Sequence, residues 1–353
     1  MPAIVKLVYF RFQNKLIFLE RVEKVLLVMT TLNGSTKNTT TKTTSNSEKI
    51  IGIDLGTSNS VVSVAELGVP TVIEDVDGHR TLPSVVAYDK NTKELMVGRK
   101  ARRQRVMNPL NTFTSVKRFI GRRLIDIPPE MRDVPYELYE EAGSIRFKCP
   151  VMGVSFTPEE ISARILRTLA DTAALYLRQP VEKAVITIPA YFNTTQREAT
   201  KTAGRIAGLD VVRIVNEPTA AAFAFGLDKV GNDRMIFVFD LRGETFNVSV
   251  LETTMGVFEV RASCGDSSLG GDLFDQLILK WLYTTYEKDR GRKTCSRPEI
   301  SQRFREVAEK VKISLSFSEE TSRTLPFIDP DAIKDEERHW EFTLTRSTFE
   351  RLS

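Results

Sequence analysis

The sequence predicts an α/β protein built from two related lobes around a cleft. The first observation is a repeat, because residues 51–64 (IGIDLGTSNSVVSV) align with residues 237–250 (FVFDLRGETFNVSV). Each copy is an apolar run ending in an aspartate, Asp54 or Asp240, followed by a short turn and a second apolar run, as in a β-hairpin. The second observation is strand–helix–strand order between residues 157 and 226, which is typical of helices that cover a sheet.

The two hairpins also predict a function for the cleft. Copies this far apart suit two lobes better than a solenoid. Backbone N–H groups of a tight turn form an anion-binding nest, and the carboxylates of Asp54 and Asp240 are suited to Mg²⁺, directly or through water. A single Asp-Leu-Gly-Thr turn is usually only a hairpin, but the pairing of two copies favours a polyphosphate held from both sides.

The first elements of the body are two strands at 50–54 and 60–65, followed by the basic segment 98–105. We interpret that segment as a solvated helix face rather than a nucleic-acid site, because no aromatic residues lie between its charges. The next helix spans 157–177. Thr157 caps it, Pro158 takes the first helical position and Glu160 completes a capping box.

A second strand–helix unit follows this helix. Residues 184–188 form a short apolar run suited to a buried strand, which Pro189 ends. Asn193 caps a helix that ends near Gly208. Strand 211–215 then leads into NEPTAAAFAFG (216–226), whose small residues let a helix pack closely on a sheet.

The predicted helix 299–316 has two distinct faces. Its apolar face consists of Ile300, Phe304, Val307, Val311 and Leu315. Roughly opposite lies a polar stripe of Glu309, Lys312 and Ser316. Such a stripe is either a solvated surface or an edge that holds a ligand, and the spacing alone leaves both open.

Composition excludes several classes of function. The net charge of +4 arises in residues 1–48, which hold seven Lys/Arg and three Glu, so the balanced remainder gives no electrostatic case for nucleic acid. Three scattered cysteines and two histidines indicate neither a disulfide framework nor a zinc site.

The first 48 residues differ from the rest. Residues 30–47 contain eleven Ser/Thr and no acid, and a basic leader followed by such a stretch is typical of an organelle transit peptide. A disordered extension without an address is the alternative. The apolar stretches, such as 25–29, are too short to span a membrane. We expect residues 1–48 to lie outside the fold and residues 49–353 to form the domain.

These residues together resemble the nucleotide-binding domain of the seventy-kilodalton heat-shock chaperones of the DnaK type. The motifs that carry the resemblance are IDLGTSNS (53–60), NTFTSVKRFIGRR (111–123), ITIPAYFNTTQREATKTAGRIAGL (186–209), RIVNEPTAAA (213–222), LGGDLFD (269–275) and AEKVKISLS (308–316). FKCPVMG followed by SFTPEEISA (147–163) is most similar to plastid and cyanobacterial members. This favours the plastid stroma as the location, with the cytoplasm as the alternative.

The resemblance implies an actin-like ATPase fold, with a first lobe at 49–235 and a partial second lobe at 236–353, and a cleft for ATP or ADP with Mg²⁺ and K⁺. It implies that Lys117 positions the attacking water and stabilises charge in phosphoryl transfer. The implied catalytic residues are Lys117, Glu217, Asp240 and Thr245. Asp54 and Asp240 are the implied Mg²⁺ residues, acting through water. The implied nucleotide contacts are Gly56, Thr57, Ser58, Asn59, Gly243, Gly270, Gly271, Glu309, Lys312 and Ser316.

The resemblance also implies partners. Pro189 and Arg197 match positions that relay the nucleotide state, and Arg213, Asn216 and Thr219 match a docking surface for J-domain co-chaperones. A nucleotide exchange factor is a further implied partner. An unfolded client is expected only if a peptide-binding domain is supplied elsewhere, and neither nucleic acid nor a membrane span is expected.

Departures from the family pattern make turnover doubtful. The second turn has Arg242, Glu244 and Asn247 where the family has Gly, Gly and Asp, and the chain stops at Ser353, before the elements that close both lobes. Non-glycine residues resist positive φ, and Glu244 would repel phosphate. The alternatives are therefore a weakened ATPase of a chaperone and a non-catalytic relict that binds nucleotide or co-chaperones. A sugar kinase is a third alternative, against which NEPTAAA argues.

Overall fold

The structure, a computed structural model, describes residues 5–10, 49–66, 69–224, 234–243, 245–254, 257–266, 269–291, 293, 297–328 and 338–353. The strands are β1 Val5–Phe10, β2 Ile50–Asp54, β3 Asn59–Glu66, β4 Val69–Val72, β5 Leu82–Pro83, β6 Val86–Tyr88, β7 Leu95–Val97, β8 Thr112–Phe113, β9 Leu138–Glu141, β10 Ser144–Cys149, β11 Val154–Phe156, β12 Lys183–Ile188, β13 Asp210–Asn216, β14 Arg234–Leu241, β15 Phe246–Thr254, β16 Val257–Asp266, β17 Glu320–Leu325 and β18 Trp340–Thr345. The α-helices are α1 Arg99–Gln104, α2 Pro158–Leu177, α3 Thr194–Ile206, α4 Glu217–Ala224, α5 Gly271–Arg290, α6 Pro298–Leu315 and α7 Arg346–Leu352.

The first lobe is built on a sheet with the strand order β13-β12-β2-β3-β4. Its inner strands β12 and β2 are parallel, whereas β2, β3 and β4 form an antiparallel meander. Helix α2 packs against β2 and β3, and α3 packs against β13. The core between them is continuous and includes the fully buried Ile53, Ile161 and Ile186.

Both helices over this sheet begin as the sequence predicts. The Thr157 side chain accepts a hydrogen bond from the Glu160 N–H, and the Glu160 carboxylate accepts one from the Thr157 N–H. Asn193 and Gln196 form the same reciprocal cap on α3. These caps satisfy N–H groups that a helix terminus otherwise leaves without partners.

The second sheet has the order β1-β14-β15-β16, and its strands repeat the relative directions of β12, β2, β3 and β4 in the first sheet. The hairpin registers also coincide, because Ile53 pairs with Val62 in the first lobe and Phe239 pairs with Val248 in the second. The predicted repeat is therefore confirmed as two hairpins of equal register. Strand β14 starts at Arg234, just ahead of the expected lobe boundary.

Strand β1 lies within residues 1–48, which the sequence predicts to lie outside the fold. It runs parallel to β14 with Tyr9 opposite Asp240, much as β12 runs parallel to β2 with Thr187 opposite Asp54. An open strand edge has unpaired backbone groups, and the β-prone run VKLVYF supplies partners for them. The rest of the leader lies outside the described residues.

A smaller unit extends the second lobe. Helices α5 and α6 pack together, with the hairpin β17–β18 against α6 and α7 against β18. The predicted apolar face of α6 is confirmed, because Phe304, Val311 and Leu315 are buried in the core of this unit together with Trp340. In the described part of the chain, no helix is both long and apolar enough to cross a membrane.

Candidate functional site

The two predicted turns meet between the lobes. A Cβ atom at Gly243 in the second turn would overlap the Ser58 hydroxyl oxygen in the first turn, so a larger residue there would require the exposed Ser58 side chain to move. The Gly271 N–H donates to the Arg242 carbonyl at 3.0 Å, and the Asp272 N–H donates to the Gly243 carbonyl at 2.6 Å. The start of α5 is thereby bound to the second turn. Gly270 is buried beside it.

A hydrogen bond from Ser84 and a close backbone contact at Gly56 fix the shape of the first turn. A Cβ atom at Gly56 would overlap the Asn59 carbonyl oxygen, so this turn requires glycine. The Ser84 hydroxyl donates to the Gly56 carbonyl at 2.7 Å. Ser58 is exposed at the tip, while Thr57 and Asn59 are half-buried. The turn therefore presents polar groups to the cleft on a fixed backbone.

Three carboxylates converge behind the turns on one guanidinium. The Arg242 Nε lies 2.8 Å from Asp240 Oδ2, its Nη1 lies 3.4 Å from Asp54 Oδ1, and its Nη2 lies 3.3 Å from Glu217 Oε2. Burial opposes the charge of this guanidinium, but the carboxylates of Asp240, Glu217 and Asp54 outweigh it and raise the pKa of Arg242 well above its usual value. Asp54 and Asp240 were expected to face a metal ion, and their ion pairs with Arg242 were not predicted.

Lys117 and Glu217 form a second ion pair in the same cluster. The Lys117 Nζ donates to Glu217 Oε1 at 2.7 Å, and both side chains are buried. Lys117 lies on the 3₁₀ turn Val116–Phe119, and Glu217 is the first residue of α4. Each oxygen of Glu217 therefore contacts a different cation, which places two of the predicted catalytic side chains in direct contact.

Thr187 belongs to this cluster, although its role was not predicted from the sequence. Its hydroxyl donates to Asp54 Oδ1 at 3.0 Å from the neighbouring strand β12. The sequence feature that could have indicated a role for Thr187 was its position as a polar residue in the otherwise apolar strand 184–188. Its register opposite Asp54 depends on the parallel pairing of β12 with β2, which the sequence does not state.

The polar stripe of α6 faces other parts of the protein. The Lys312 Nζ donates to the Gly271 carbonyl and to Asp275 Oδ2, both at 2.8 Å. Burial raises the pKa of Asp275 to about 6, although Lys312 opposes this shift. Glu309 faces Arg102, and Ser316 is exposed at the end of the helix. The stripe thus lies beside the start of α5 and near the second turn.

The basic segment of α1 is more than a solvated face. Arg102 Nη2 lies 2.7 Å from Glu309 Oε1, and Arg105 Nη2 lies 3.5 Å from Glu306 Oε1. Burial tends to raise the pKa of Glu309, but Arg102 and Arg105 lower it overall. These pairs connect α1 of the first lobe with α6 of the second, which corrects the solvated-face interpretation.

The predicted partner residues fall into two groups. The Arg197 Nη2 donates to Asn216 Oδ1 at 2.9 Å, and its Nε donates to the Phe192 carbonyl at 2.9 Å, close to the buried Pro189. This links the loop after β12 to the end of β13. Arg213 is exposed on β13 and Thr219 is half-buried on α4.

The residues of the second turn that differ from the family pattern have different surroundings. The Asn247 side chain is buried, and neither of its amide atoms has a hydrogen-bond partner among the described residues. The Thr245 carbonyl accepts a hydrogen bond from the Arg242 N–H at 2.8 Å. Glu244 lies outside the described residues, so its expected repulsion of phosphate stays a prediction.

The carboxylate cluster does not fit Mg²⁺ in this arrangement. Mg²⁺ requires near-octahedral oxygen ligands at about 2.1 Å and usually keeps several waters. Here the guanidinium of Arg242 lies between Asp54, Asp240 and Glu217, in the space that such an ion and its waters would need. A divalent ion could bind these carboxylates only after Arg242 had moved away.

Comparisons with known proteins agree with the resemblance. The family model described as Hsp70 protein matches residues 50–353. The Heat shock 70 kDa protein 7, chloroplastic, of Arabidopsis thaliana is 52% identical over 306 residues, which are 86% of this chain and 42% of that protein. Chaperone protein DnaK of Prochlorococcus marinus is 52% identical over 305 residues, 86% of this chain and 48% of that protein. The Stromal 70 kDa heat shock-related protein, chloroplastic, of Pisum sativum is 51% identical over 307 residues, 87% of this chain and 43% of that protein. The chain thus spans less than half the length of these three relatives.

Proposed function

This chain belongs to the Hsp70 family and has its actin-like ATPase fold, and from this premise we propose that its cleft binds ATP and ADP as the nucleotide-binding part of a molecular chaperone. The observation that carries the proposal is the meeting of two glycine-containing turns from hairpins of equal register. Gly243 lies against Ser58, and the N-terminus of the long helix α5 is bound to the same turn. Turn amides and a helix N-terminus are suited to phosphate oxygens.

The adenosine would lie along the polar stripe of α6. Lys312 connects this stripe to Gly271, so the stripe and the phosphate turns form one continuous polar wall. Glu309 and Ser316 on the same helix would add hydrogen bonds to the sugar or base. Arg102 on α1 contacts Glu309 and would limit how widely the lobes separate.

Hydrolysis would be slow in this cleft. Lys117 is the cation suited to stabilising charge on a transferred phosphoryl group, but here it is held by Glu217 at 2.7 Å. Binding of nucleotide without turnover is the second candidate function. The ion pairs between Arg242 and all three neighbouring carboxylates favour it. Mg²⁺ and K⁺ are implied by the family, but the proposal for this cleft depends on the nucleotide alone.

Partners and location follow from the family in the same way. A J-domain co-chaperone would dock on Arg213, Asn216 and Thr219, and Pro189 with Arg197 would transmit the nucleotide state. A nucleotide exchange factor would open the lobes. An unfolded client would bind only through a peptide-binding domain supplied elsewhere. Two chloroplastic relatives support a plastid location, and the cytoplasm is the alternative because a bacterial DnaK is equally similar.

Calorimetry with ATP and ADP tests this proposal. The full chain should bind both nucleotides, and Lys312→Ala should weaken binding at least about tenfold, or ~1.4 kcal/mol. The matched control is Lys310→Ala, because Lys310 lies on the same helix but is exposed. Absence of binding by the unaltered, folded chain would refute the proposal. Equal losses in both variants would refute the assignment of the stripe to adenosine.

A further inference from the structure

The position of Arg242 suggests a role that the family resemblance does not supply. We infer that its guanidinium replaces the divalent cation of the cleft, so that the protein binds nucleoside polyphosphates without Mg²⁺. The inference rests on the proposed nucleotide site and adds that the nucleotide binds there without a Mg²⁺ ion. It concerns Arg242, one of the two residues that replace a family glycine in the second turn.

Geometry gives the first argument. The Arg242 side chain contacts carboxylates from three different elements, namely the end of β2, the end of β14 and the start of α4. Its own backbone is fixed, because its N–H donates to the Thr245 carbonyl and its carbonyl accepts from the Gly271 N–H. The guanidinium is thus held at the point where both lobes contribute charge, where a bridging ion would otherwise be required.

Charge gives the second argument. Asp54, Asp240 and Glu217 are three negative groups, and Lys117 and Arg242 are two positive ones. Without Arg242, one ammonium would face three buried carboxylates, which would either bind a metal ion or take up protons. With Arg242 the cluster is nearly balanced, so little electrostatic attraction for a divalent ion is left.

The chemistry of the guanidinium completes the argument. It has five N–H donors in a planar fork: Nε contacts Asp240, Nη2 contacts Glu217, and Nη1 lies 3.4 and 3.5 Å from the two oxygens of Asp54. Each terminal nitrogen carries two N–H groups, so the one not used for a carboxylate can donate to a phosphate oxygen, a contact that arginine makes with good geometry. Unlike Mg²⁺, the guanidinium cannot be removed by a chelator, so nucleotide binding should persist in EDTA.

Thermal denaturation with Mg²⁺ as the only added ligand tests the inference without relying on nucleotide. The unaltered chain should keep its midpoint as MgCl₂ is added. Arg242→Gly should bind the ion at the freed carboxylates and gain several °C, as expected for a ligand that binds only the folded state. The matched control is Arg178→Gly, because Arg178 caps α2 at φ 54, where glycine is favoured.

Calorimetry with ATP gives the second readout. The unaltered chain should bind ATP in EDTA at least as tightly as in MgCl₂, whereas Arg242→Gly should bind at least about tenfold more tightly in MgCl₂. Arg242→Gln serves if the glycine variant does not fold, and it should show the same dependence. A requirement for MgCl₂ in ATP binding by the unaltered chain, or no Mg²⁺ response in either Arg242 variant, would overturn the inference. If no form binds ATP, the proposed function and Mg²⁺-free nucleotide binding both fail, while stabilisation of only the Arg242 variants by Mg²⁺ would still support the replacement of the cation by Arg242.

Discussion

Replacing Glu217 by glutamine should strongly destabilise the folded protein. Both oxygens of this buried carboxylate contact cations, Lys117 at 2.7 Å and Arg242 at 3.3 Å. At an effective dielectric constant near 20, these two attractions amount to roughly 6 and 5 kcal/mol, before the cost of burial is subtracted. The glutamine variant keeps the shape but leaves two buried cations with less compensation.

The expected net loss is about 3–5 kcal/mol in the free energy of unfolding, as is typical when one partner of a buried pair is removed. For a protein of this size, such a loss lowers the thermal midpoint by roughly 4–7 °C. Urea denaturation followed by circular dichroism measures the free energy, and calorimetry measures the midpoint.

The matched control is Glu198→Gln on α3. Glu198 lies 2.7 Å from Lys201, the same separation as in the Lys117–Glu217 pair, but both side chains are exposed. Exposed ion pairs contribute little to the free energy of unfolding, because water screens them and both side chains lose mobility when they pair. Equal effects of Glu217→Gln and Glu198→Gln would refute the reasoning.

Two further predictions test other parts of the fold. Burial raises the pKa of Asp275 to about 6, so the folded state favours the neutral form of this carboxyl. The contribution of Asp275 to the stability of the fold is therefore full below about pH 4 and is lost as the pH rises through about 6. Urea midpoints of the unaltered chain should therefore fall relative to those of Asp275→Asn over this interval, and parallel curves would contradict the assignment. Deleting residues 1–10 should lower the thermal midpoint and increase dye binding to apolar surface, because β14 loses its parallel neighbour. A peptide spanning residues 5–10 should restore part of the stability, and an unchanged midpoint after deletion would show that β1 does not support the sheet.

Local patterns in the sequence determined the secondary structure well. The cap formed by Thr157 and Glu160 and the apolar face of α6 involve residues within a few positions of one another, so their spacing alone predicts them. The hairpin repeat was predicted for a similar reason, because the alternation of a strand fixes which residues pair across a tight turn. The positions of the glycines and aspartates in both turns therefore follow from the sequence pattern alone.

The tertiary structure alone decided how charged residues from distant segments combine. Lys117 and Glu217 meet although they are 100 positions apart in the chain, and Arg102 reaches Glu309 across the lobes. The packing of both sheets brings Arg242 between the carboxylates of the two turns, and an edge of β14 takes β1 as its neighbour. Sequence spacing specifies the local backbone. The partner of a buried charge depends instead on which polar groups are buried next to it, and only the packing of the lobes determines this.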